Sequence, residues 1–560
     1  MKQAVPVLAL VTVAIFVRAA PADERDRDQR RLQLVEATVS ELQQALRSHA
    51  VTSERLVDMY LARVAAYDQA GPTLNSFLHV NAAAIDEARV RDFERSCGRA
   101  RGPLFGIPVL LKDNIDTHDM PTTGGSVALA GSIPPADAFL TQRLRDAGAI
   151  LLGKATLTEF ANFIAIGMPS GYSSLGGYGL NPYDPRPLPG GDGRPALTPG
   201  GSSSGPGIAV AANLVTVAIG TETSGSILSP SSSNGVVGIK PTLGLVSRAG
   251  ILPITADQDT AGPIARTVTD AATVLGVIAG YDPDDPATLA CLIPGNCHGD
   301  YTRFLDQHAL RRARIAVPRV PFWNGFTPDQ QQRMLDAIAA LRAEGAFVAD
   351  PYELPNQADI SAFGICVAFP APSNCSTVLM YGQKNDLNHY LAQRPDAPVH
   401  TLGDIIAFNT AHAATALKYG QAIFAAADRL DTSPGSADTQ RYLADRARDL
   451  ALTRGGIDAV LDGPDGLRGT GDDFDAILFP QNRGAGAPAK AGYPTVVVPG
   501  GFLAPAGDVA QPSPFGVAFT GRAFSEPTLI GLAYAFEQVT QHRRPPASTP
   551  PLPTDSVGRP

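Results

Sequence analysis

PGGSSSGPG, residues 199–207, opens the part of the chain whose pattern decides the fold. It continues into IAVAANLVTVAIGTETSGS, residues 208–226, where small and apolar residues predict a helix and then a strand. A second turn of glycine and serine ends that strand. A further short strand, GVVGIKP at residues 235–241, follows. Two glycine-serine turns therefore enclose one compact helix–strand unit.

Helix and strand patterns alternate through the rest of the chain. Residues 38–69 are predicted to form two amphipathic helices, with Thr38 and Thr52 as their N-caps. FGIPVLLKDNID, residues 105–116, has the character of a buried strand and would carry Lys112 at its carboxyl end. Because the alternation continues to the late part of the chain, we expect an α/β fold with a sheet layered by helices.

The composition limits the kinds of partner. The chain has 560 residues, of which 44% are hydrophobic and 18% charged, so it can bury a large core. Its length alone would suggest roughly two to four domains. The net charge is −9 at pH 7. Since nucleic-acid binding needs a basic face, we expect no nucleic-acid partner.

The N-terminus has the layout of a secretory signal peptide. A single positive charge precedes the uncharged run Ala4–Val17, and small residues then give way abruptly to polar sequence. We therefore expect residues 1–22 to be removed and the protein to be periplasmic or secreted. The apolar run is too short to span a bilayer comfortably, so no stable membrane span is expected after processing.

Two further segments are predicted to lack fixed structure. Residues 23–34 contain the charged run DERDRDQRR and are predicted to be a mobile lead-in. Residues 544–560 are rich in proline and are predicted to be a disordered tail. The folded domain would then lie between these two segments.

The five cysteines leave two interpretations open. In an exported protein, Cys291–Cys297 and Cys366–Cys375 could each close a short loop and leave Cys97 free. The alternative is five unrelated thiols. No C-x-x-C pair occurs and no histidine clusters with the cysteines, so we expect no zinc site, and no other metal or cofactor.

The three serines of residues 202–204 allow several interpretations. GSSSG fits the G-x-S-x-G nucleophile elbow with Ser203 at its centre, but an elbow needs a strand before the serine and RPALTPGG is poor strand material. None of the nine histidines stands in a pattern that marks a triad partner. The turns could also be anion cradles at helix N-termini, although no P-loop motif occurs, or linkers without chemistry.

Three segments taken together resemble the amidase signature family: GIPVLLKDNIDT at 106–117, PGGSSSGPG at 199–207 and GTETSGSILSP at 220–230. The similarity continues through NGVVGIKPTLGLVSRAG and DQDTAGPIARTVTDAA, and covers roughly residues 35–540. The chain looks most similar to exported bacterial relatives of peptide amidase. The resemblance implies a single large α/β domain at residues 35–543, with a central mixed β-sheet covered by helices on both faces.

The resemblance also implies a Ser–cis-Ser–Lys catalytic triad. Carried over by position, the nucleophile is Ser226, the bridging serine with a cis peptide bond is Ser202, and the base is Lys112. A lysine acts as a base only when neutral, which burial favours, and a hydroxyl both donates and accepts and so can relay a proton. The implied oxyanion hole consists of four backbone amides: Thr223, Ser224, Gly225 and Ser226.

The neighbouring residues are expected to support the site rather than react. Hydrogen bonds that brace the loops are predicted for Asp113, Asn114, Ser126, Glu222, Asp259 and Thr260. The chain departs from the pattern of many family members at Ser224, at Leu228, where many have arginine, and at Pro206. Residues 361–382 and the loops near 170–195 are expected to line the pocket by analogy with the family. Trp323 is predicted to be a packing residue.

These observations predict a serine amidohydrolase that cleaves linear carboxylic amides, as a monomer or homodimer, acting on a small-molecule or peptide amide. The mixed apolar character of the expected pocket segments permits peptide, aryl or aliphatic amides. One alternative is the glutaminase subunit of a tRNA-dependent amidotransferase, against which the signal peptide argues. The other is a non-catalytic binding protein on an amidase scaffold, against which the presence of all three catalytic residues argues.

Overall fold

A computed structural model describes residues 32–557. The predicted signal peptide lies outside the described residues, and so does most of the predicted lead-in. Among residues 32–557, no helix combines the length and apolar character needed to cross a bilayer.

The strands are, in chain order, β1 (Leu32–Gln33), β2 (Phe77–Val80), β3 (Pro108–Lys112), β4 (Ile150–Ala155), β5 (Tyr172–Ser173), β6 (Gly177–Tyr178), β7 (Val217–Glu222), β8 (Val237–Lys240), β9 (Thr260–Ala265), β10 (Arg314–Pro318), β11 (Phe347–Tyr352), β12 (Gly364–Ile365), β13 (Cys375–Ser376), β14 (Ala476–Pro480), β15 (Thr495–Leu503), β16 (Ser513–Thr520) and β17 (Ser556–Val557).

The α-helices are α1 (Val39–Arg47), α2 (Ser53–Arg63), α3 (Ala84–Ser96), α4 (Phe139–Asp146), α5 (Ser204–Ala211), α6 (Leu228–Ser233), α7 (Val268–Ile278), α8 (Pro328–Ala343), α9 (Gln357–Ala362), α10 (Val378–Ala392), α11 (Leu402–Ala411), α12 (Ala413–Ala416), α13 (Ala422–Ala427), α14 (Ala437–Leu461), α15 (Gly486–Ala491) and α16 (Glu526–Thr540). The predicted caps are confirmed: Thr38 accepts the amide of Glu41, and Thr52 accepts that of Arg55.

An eleven-stranded mixed sheet forms the centre of one large α/β domain, as predicted. Its order is β11-β10-β14-β16-β15-β8-β9-β7-β3-β4-β2. Strand β3 lies between β4 and β7 and is parallel to both, whereas β9 runs antiparallel to β7. Because β3 and β7 are parallel neighbours, the residues at their carboxyl ends lie side by side.

Both faces of the sheet are buried, which the alternation of side chains shows directly. In β15, Val496 and Val498 belong to the main hydrophobic cluster, while Val497 between them belongs to a different one. The main cluster includes Leu529 of α16, and the other includes Ile457 of α14. Successive strand residues point to opposite faces, so helices cover the sheet on both sides.

A separate hydrophobic cluster, here called the second cluster, lies away from the sheet. It joins the segment around Phe160 and Tyr172 to helices α10 and α13, and it includes Leu252 and Ile254. Trp323 packs against the edge of the main cluster and stacks with Phe326 at 6.1 Å between ring centroids, which confirms its predicted packing role.

The two ends of the described chain are tied together, which corrects two predictions of disorder. Strand β1 pairs with β17, so Leu32 and Gln33 are ordered although the sequence placed them in a mobile lead-in. The described part of the proline-rich tail, residues 544–557, also packs: Asp555 forms a fully buried ion pair with Arg63, 2.5 Å between carboxylate and guanidinium. The prediction of disorder rested on proline content, which does not show that Asp555 pairs with a buried arginine.

Both short disulfides that the sequence left open are present. Cys291 bonds to Cys297, and Cys366 bonds to Cys375, while Cys97 is a free and exposed thiol. The second disulfide also joins the short strands β12 and β13, which precede helix α10. The interpretation as five unrelated thiols is therefore wrong.

We predict that Asp555→Ala lowers the free energy of unfolding by about 3 kcal/mol, because it leaves the Arg63 guanidinium buried without its counter-ion. Thermal unfolding of the purified protein measures the loss. Ser556→Ala serves as the matched control, since among residues 32–557 its hydroxyl donates only to Gln33, at the exposed surface. Equal melting temperatures for Asp555→Ala and wild type would show that the tail does not pack in solution.

Candidate active site

Lys112 is fixed inside the sheet at the carboxyl end of β3, where every residue of the strand is buried. Its Nζ donates to Ser202 Oγ at 2.8 Å, to Thr221 Oγ1 at 2.8 Å and to the Thr221 carbonyl at 3.2 Å. Burial lowers the pKa of Lys112 from 10.5 to about 7, while the carboxylates of Asp259 and Glu222 partly oppose that shift. The amine is thus available in its neutral form near pH 7.

Ser202 faces this lysine from the first glycine-serine turn. The residue is fully buried, and the peptide bond between Gly201 and Ser202 is cis, as the resemblance implies. The Ser202 carbonyl accepts the amide of Thr158 at 3.0 Å. The turn is therefore anchored through its backbone, and the Ser202 hydroxyl is left to Lys112.

Ser203 has a different role from its neighbour. Its hydroxyl donates to the Thr221 carbonyl at 3.0 Å and accepts the Thr221 amide at 3.2 Å, and its own amide donates to the Ser226 carbonyl at 3.1 Å. The residue is fully buried, and a Cβ on Gly220 would lie only 2.8 Å from its hydroxyl. Ser203 thus joins the two turns, and the nucleophile-elbow interpretation is not supported.

The second turn is organised by Glu222. Its buried carboxylate accepts the amides of Gly225 at 2.6 Å, Ile227 at 2.7 Å and Leu228 at 3.0 Å. These bonds confirm the predicted bracing role and hold the chain at the entrance to α6. A carboxylate that accepts several amides at a helix N-terminus is in a favourable electrostatic position.

Ser226 lies within this turn and is 7% exposed. Within residues 32–557, its hydroxyl makes no hydrogen bond, while its carbonyl accepts from Ser203. A nearly buried serine in a braced turn, whose hydroxyl has no partner in the described part of the chain, has the placement that a nucleophile needs.

The structure revises the predicted oxyanion hole. The Gly225 amide already donates to Glu222, so it is not available to an oxyanion, and that part of the prediction is wrong. The amides of Thr223, Ser224 and Ser226 donate to no acceptor in the described part of the chain. These three amides remain as candidate donors.

Most of the predicted bracing residues do brace the site. Asp113 accepts the amide and the hydroxyl of Thr123, and Asn114 donates to Thr221 Oγ1 at 3.0 Å. Asp259 accepts the Thr223 hydroxyl at 2.5 Å. The Ser126 hydroxyl caps a short helical turn at Val127–Leu129. Within residues 32–557, the Thr260 hydroxyl donates only to the carbonyl of its neighbour Ala261, at 3.5 Å, and Thr260 contributes to the site through its backbone pairing with Glu222.

Thr221 is the important residue that the sequence analysis did not single out. It accepts from Lys112 and Asn114 through its hydroxyl and contacts Ser203 through its backbone. The signal lay in strand pairing: β3 and β7 are parallel, with Leu111 opposite Ile219. Lys112 and Thr221, one and two residues beyond that pair, therefore meet at the carboxyl ends of the two strands.

The positions that differ from the family pattern are accommodated without displacing Lys112, Ser202 or Ser226. Leu228 is buried in the hydrophobic cluster that contains Ile457. Pro206 is the third residue of α5, within the first turn, where a missing amide costs no helical hydrogen bond. Ser224 keeps the backbone amide that the site would use.

A group of side chains away from this site has the spacing of metal ligands. Among residues 32–557, ligand atoms of His118, Asp119 and Asp137 all lie within 4.8 Å of one another. However, Arg145 already pairs with Asp119 at 2.7 Å and with Asp137 at 3.0 Å. The arrangement is that of a surface ion-pair network.

Comparison with known proteins identifies the class. A family model described as Amidase matches residues 55–530. A probable amidase of Arabidopsis thaliana is 38% identical over 521 residues, covering 91% of each chain. The A subunit of the glutamyl-tRNA(Gln) amidotransferase of Chloroflexus aurantiacus is 32% identical over 516 residues, covering 90% of this chain and 96% of the subunit.

Among solved structures, the peptide amidase of Stenotrophomonas maltophilia is 42% identical, with a TM-score of 0.80, and the match covers 92% of this chain and 99% of that one. This chain therefore belongs to the amidase family.

We predict that two adjacent substitutions affect different properties, hydrolysis in one case and stability in the other. Ser202→Ala removes the hydroxyl that Lys112 contacts, so it should abolish amide hydrolysis with little loss of stability. Ser203→Ala leaves the Thr221 amide without its partner and should lower the free energy of unfolding by about 1–3 kcal/mol. Thermal unfolding and hydrolysis of a chromogenic anilide measure both. Loss of hydrolysis in Ser203→Ala at unchanged stability would contradict this division of roles.

Proposed function

We propose that this protein hydrolyses a linear carboxylic amide through an acyl-enzyme on Ser226, with Ser202 as proton relay and Lys112 as base. Family membership and the similarity to peptide amidase support cleavage of a C–N amide bond. The observation that carries the finer proposal is the 2.8 Å hydrogen bond between a fully buried Lys112 and Ser202.

The lowered pKa makes this lysine usable as a base. At pH 7 an ordinary lysine with a pKa of 10.5 is neutral about once in three thousand molecules. With a pKa of about 7, Lys112 is neutral in roughly half of them. Burial at the end of β3 therefore raises the fraction of active base by about three orders of magnitude.

The proposed reaction proceeds in two halves. Ser226 Oγ attacks the amide carbon as its proton passes to Ser202, whose own proton passes to Lys112. The amides of Thr223, Ser224 and Ser226 would stabilise the resulting oxyanion. The proton then returns through Ser202 to the leaving nitrogen, and the C–N bond breaks to release ammonia or an amine. Water repeats the sequence at the acyl carbon and releases the acid.

The substrate is proposed as a small-molecule or peptide amide. The similarity to a peptide amidase favours a peptide amide among these. The loops near 170–195 and residues 361–382 are proposed to line the pocket. The first of these contacts the site, since the Gly171 amide donates to Thr158, whose amide binds Ser202. An ester would follow the same acyl-enzyme route, so esterase activity is expected.

A second candidate function is glutamine hydrolysis within an amidotransferase. It is favoured by the 32% identity to the Chloroflexus aurantiacus subunit over most of both chains. The discriminating observations are ammonia release from glutamine and stable association with partner subunits. A binding protein without turnover is the third candidate, and intact ligand binding without hydrolysis of a broad amide panel would favour it.

Export to the periplasm or medium, as a monomer or homodimer, is also proposed. The two disulfides support an oxidising compartment, because such bonds persist outside the cytosol. Fractionation of the native host, with N-terminal sequencing of the mature chain, tests export and the removal of residues 1–22. Size-exclusion chromatography with light scattering tests the oligomeric state.

We predict that a serine-directed fluorophosphonate labels Ser226, located by peptide mass spectrometry. Lys112→Met should slow labelling and amide hydrolysis by about 10³-fold or more, because the relay then has no base. Asp137→Asn, in the surface ion-pair network, is the control expected to label at the wild-type rate. Label on Ser203 instead, or full activity in Lys112→Met, would refute the proposed mechanism.

We predict that kcat/KM falls as the pH drops below about 7. The pKa of Lys112 is lowered by burial, so the active neutral amine predominates above about 7 and is lost to protonation below it. Initial rates across pH 5 to 9 on a neutral amide, which has no titration of its own, measure the midpoint. A profile that is flat through this range would contradict lysine as the base.

A further inference from the structure

We infer that Asp259 is a positioning residue for the second turn: it fixes the orientation of Thr223 and thereby aims the candidate oxyanion amides. The inference rests on the proposed function and adds to it a residue outside the triad. Asp259 belongs to the loop before β9, not to either glycine-serine turn.

The two oxygens of Asp259 make contacts in different directions. Oδ1 accepts the Thr223 hydroxyl at 2.5 Å. Oδ2 accepts the amides of Ile254 and Thr255 at 2.8 and 2.9 Å. One carboxylate therefore connects the Thr223 side chain, in the second turn, to the backbone of the loop that carries Asp259.

Thr223 needs such a contact because the Glu222 carboxylate, which braces the rest of the turn, makes no hydrogen bond to it. Glu222 holds the amides of Gly225, Ile227 and Leu228, which lie further along the turn. The amides of Thr223 and Ser224 have no acceptor in residues 32–557. The bond to Asp259 is thus the side-chain contact that restrains the first part of the turn, where donors must already point correctly before the reaction.

The loop that carries Asp259 is itself anchored. The Ala256 amide donates to Asp386 of α10 at 2.8 Å, and Tyr442 of α14 donates to Asp257 at 2.6 Å. Leu252 and Ile254 are buried in the second cluster. Asp259, which holds Thr223, is therefore itself connected to helices α10 and α14 through its own loop.

Asp259 also acts on the proposed base through its charge. It lines one small cavity together with Asn114, Thr221 and Thr223, and Asn114 Oδ1 is buried without a hydrogen-bond partner among residues 32–557. The charged groups acting on Lys112 are Asp259 and Glu222, which both raise its pKa, and Arg248 is the cation that acts on Asp259. Removing the Asp259 charge should therefore lower the pKa of Lys112 further.

The test uses the full chain and the rate of Ser226 labelling by fluorophosphonate, which needs no knowledge of the substrate. Measurements are made at pH 8, where Asp259, with its pKa of about 6, is ionised. We expect Asp259→Asn and Thr223→Val each to slow labelling by about tenfold or more, since losing one oxyanion donor typically costs about 10²–10³. The double variant should be no slower than the worse single one, because both remove the same contact.

Asp68→Asn is the matched control. Asp68 likewise accepts one side-chain hydroxyl and backbone amides, the Ser76 hydroxyl at 2.5 Å and the amides of Ser76 and Phe77 at 2.6 and 3.2 Å, but beside the edge strand β2. It should lower the melting temperature and leave the labelling rate within about twofold of wild type. This control separates loss of stability from loss of positioning.

Two further measurements distinguish a positioning role from a purely structural one. With any amide that is hydrolysed, Asp259→Asn should lower kcat with little change in KM, and its acidic limb should move to lower pH. Thr223→Val tests the same contact should Asp259→Asn fail to fold. Labelling at wild-type rates in a folded Asp259→Asn or Thr223→Val overturns this inference alone. Wild-type protein that is not labelled at Ser226 overturns the proposed function together with it.

Discussion

The site depends on keeping one amine out of water. Lys112 lies at the end of a strand that is buried on both faces, and its hydrogen bonds go to Ser202 and Thr221 rather than to solvent. A protonated amine is costly in such surroundings, so the pKa of Lys112 falls to about 7. The large sheet is what makes this possible, because a strand at an edge or in a smaller domain would leave the amine hydrated.

Much of the fold followed from periodicity and turn chemistry. The cap residues Thr38 and Thr52, the strand that ends at Lys112 and the helix between the two turns are all local signals, and each is present. The order of eleven strands is not local, because nothing in β8 specifies that β15, more than 250 residues later, will be its neighbour. The single domain came from resemblance, not from length.

For the site as well, local signals were readable in the sequence and tertiary contacts were not. Spacing and resemblance were enough to propose Lys112, Ser202 and Ser226, but hydrogen-bond competition was invisible in the sequence. Gly225 was predicted to serve an oxyanion, yet Glu222 already holds its amide. Proline content predicted a disordered tail, yet a single aspartate there neutralises a buried guanidinium 492 residues away in sequence. Both errors arise because a polar group's partner is chosen by tertiary structure.

The second cluster has a consequence for how such a protein can change over time. The proposed catalytic groups are carried by strand β3 and the two glycine-serine turns, whereas Tyr172, Cys366 and Val378, from the segments proposed to line the pocket, pack in a separate apolar unit. Mutations that repack that unit can therefore change the range of substrates that fit the proposed pocket, while the pKa of Lys112 stays the same. Substrate selectivity and the reactivity of the proposed catalytic groups can therefore evolve at different rates. The loop that carries Asp259 is the place where the two properties remain linked.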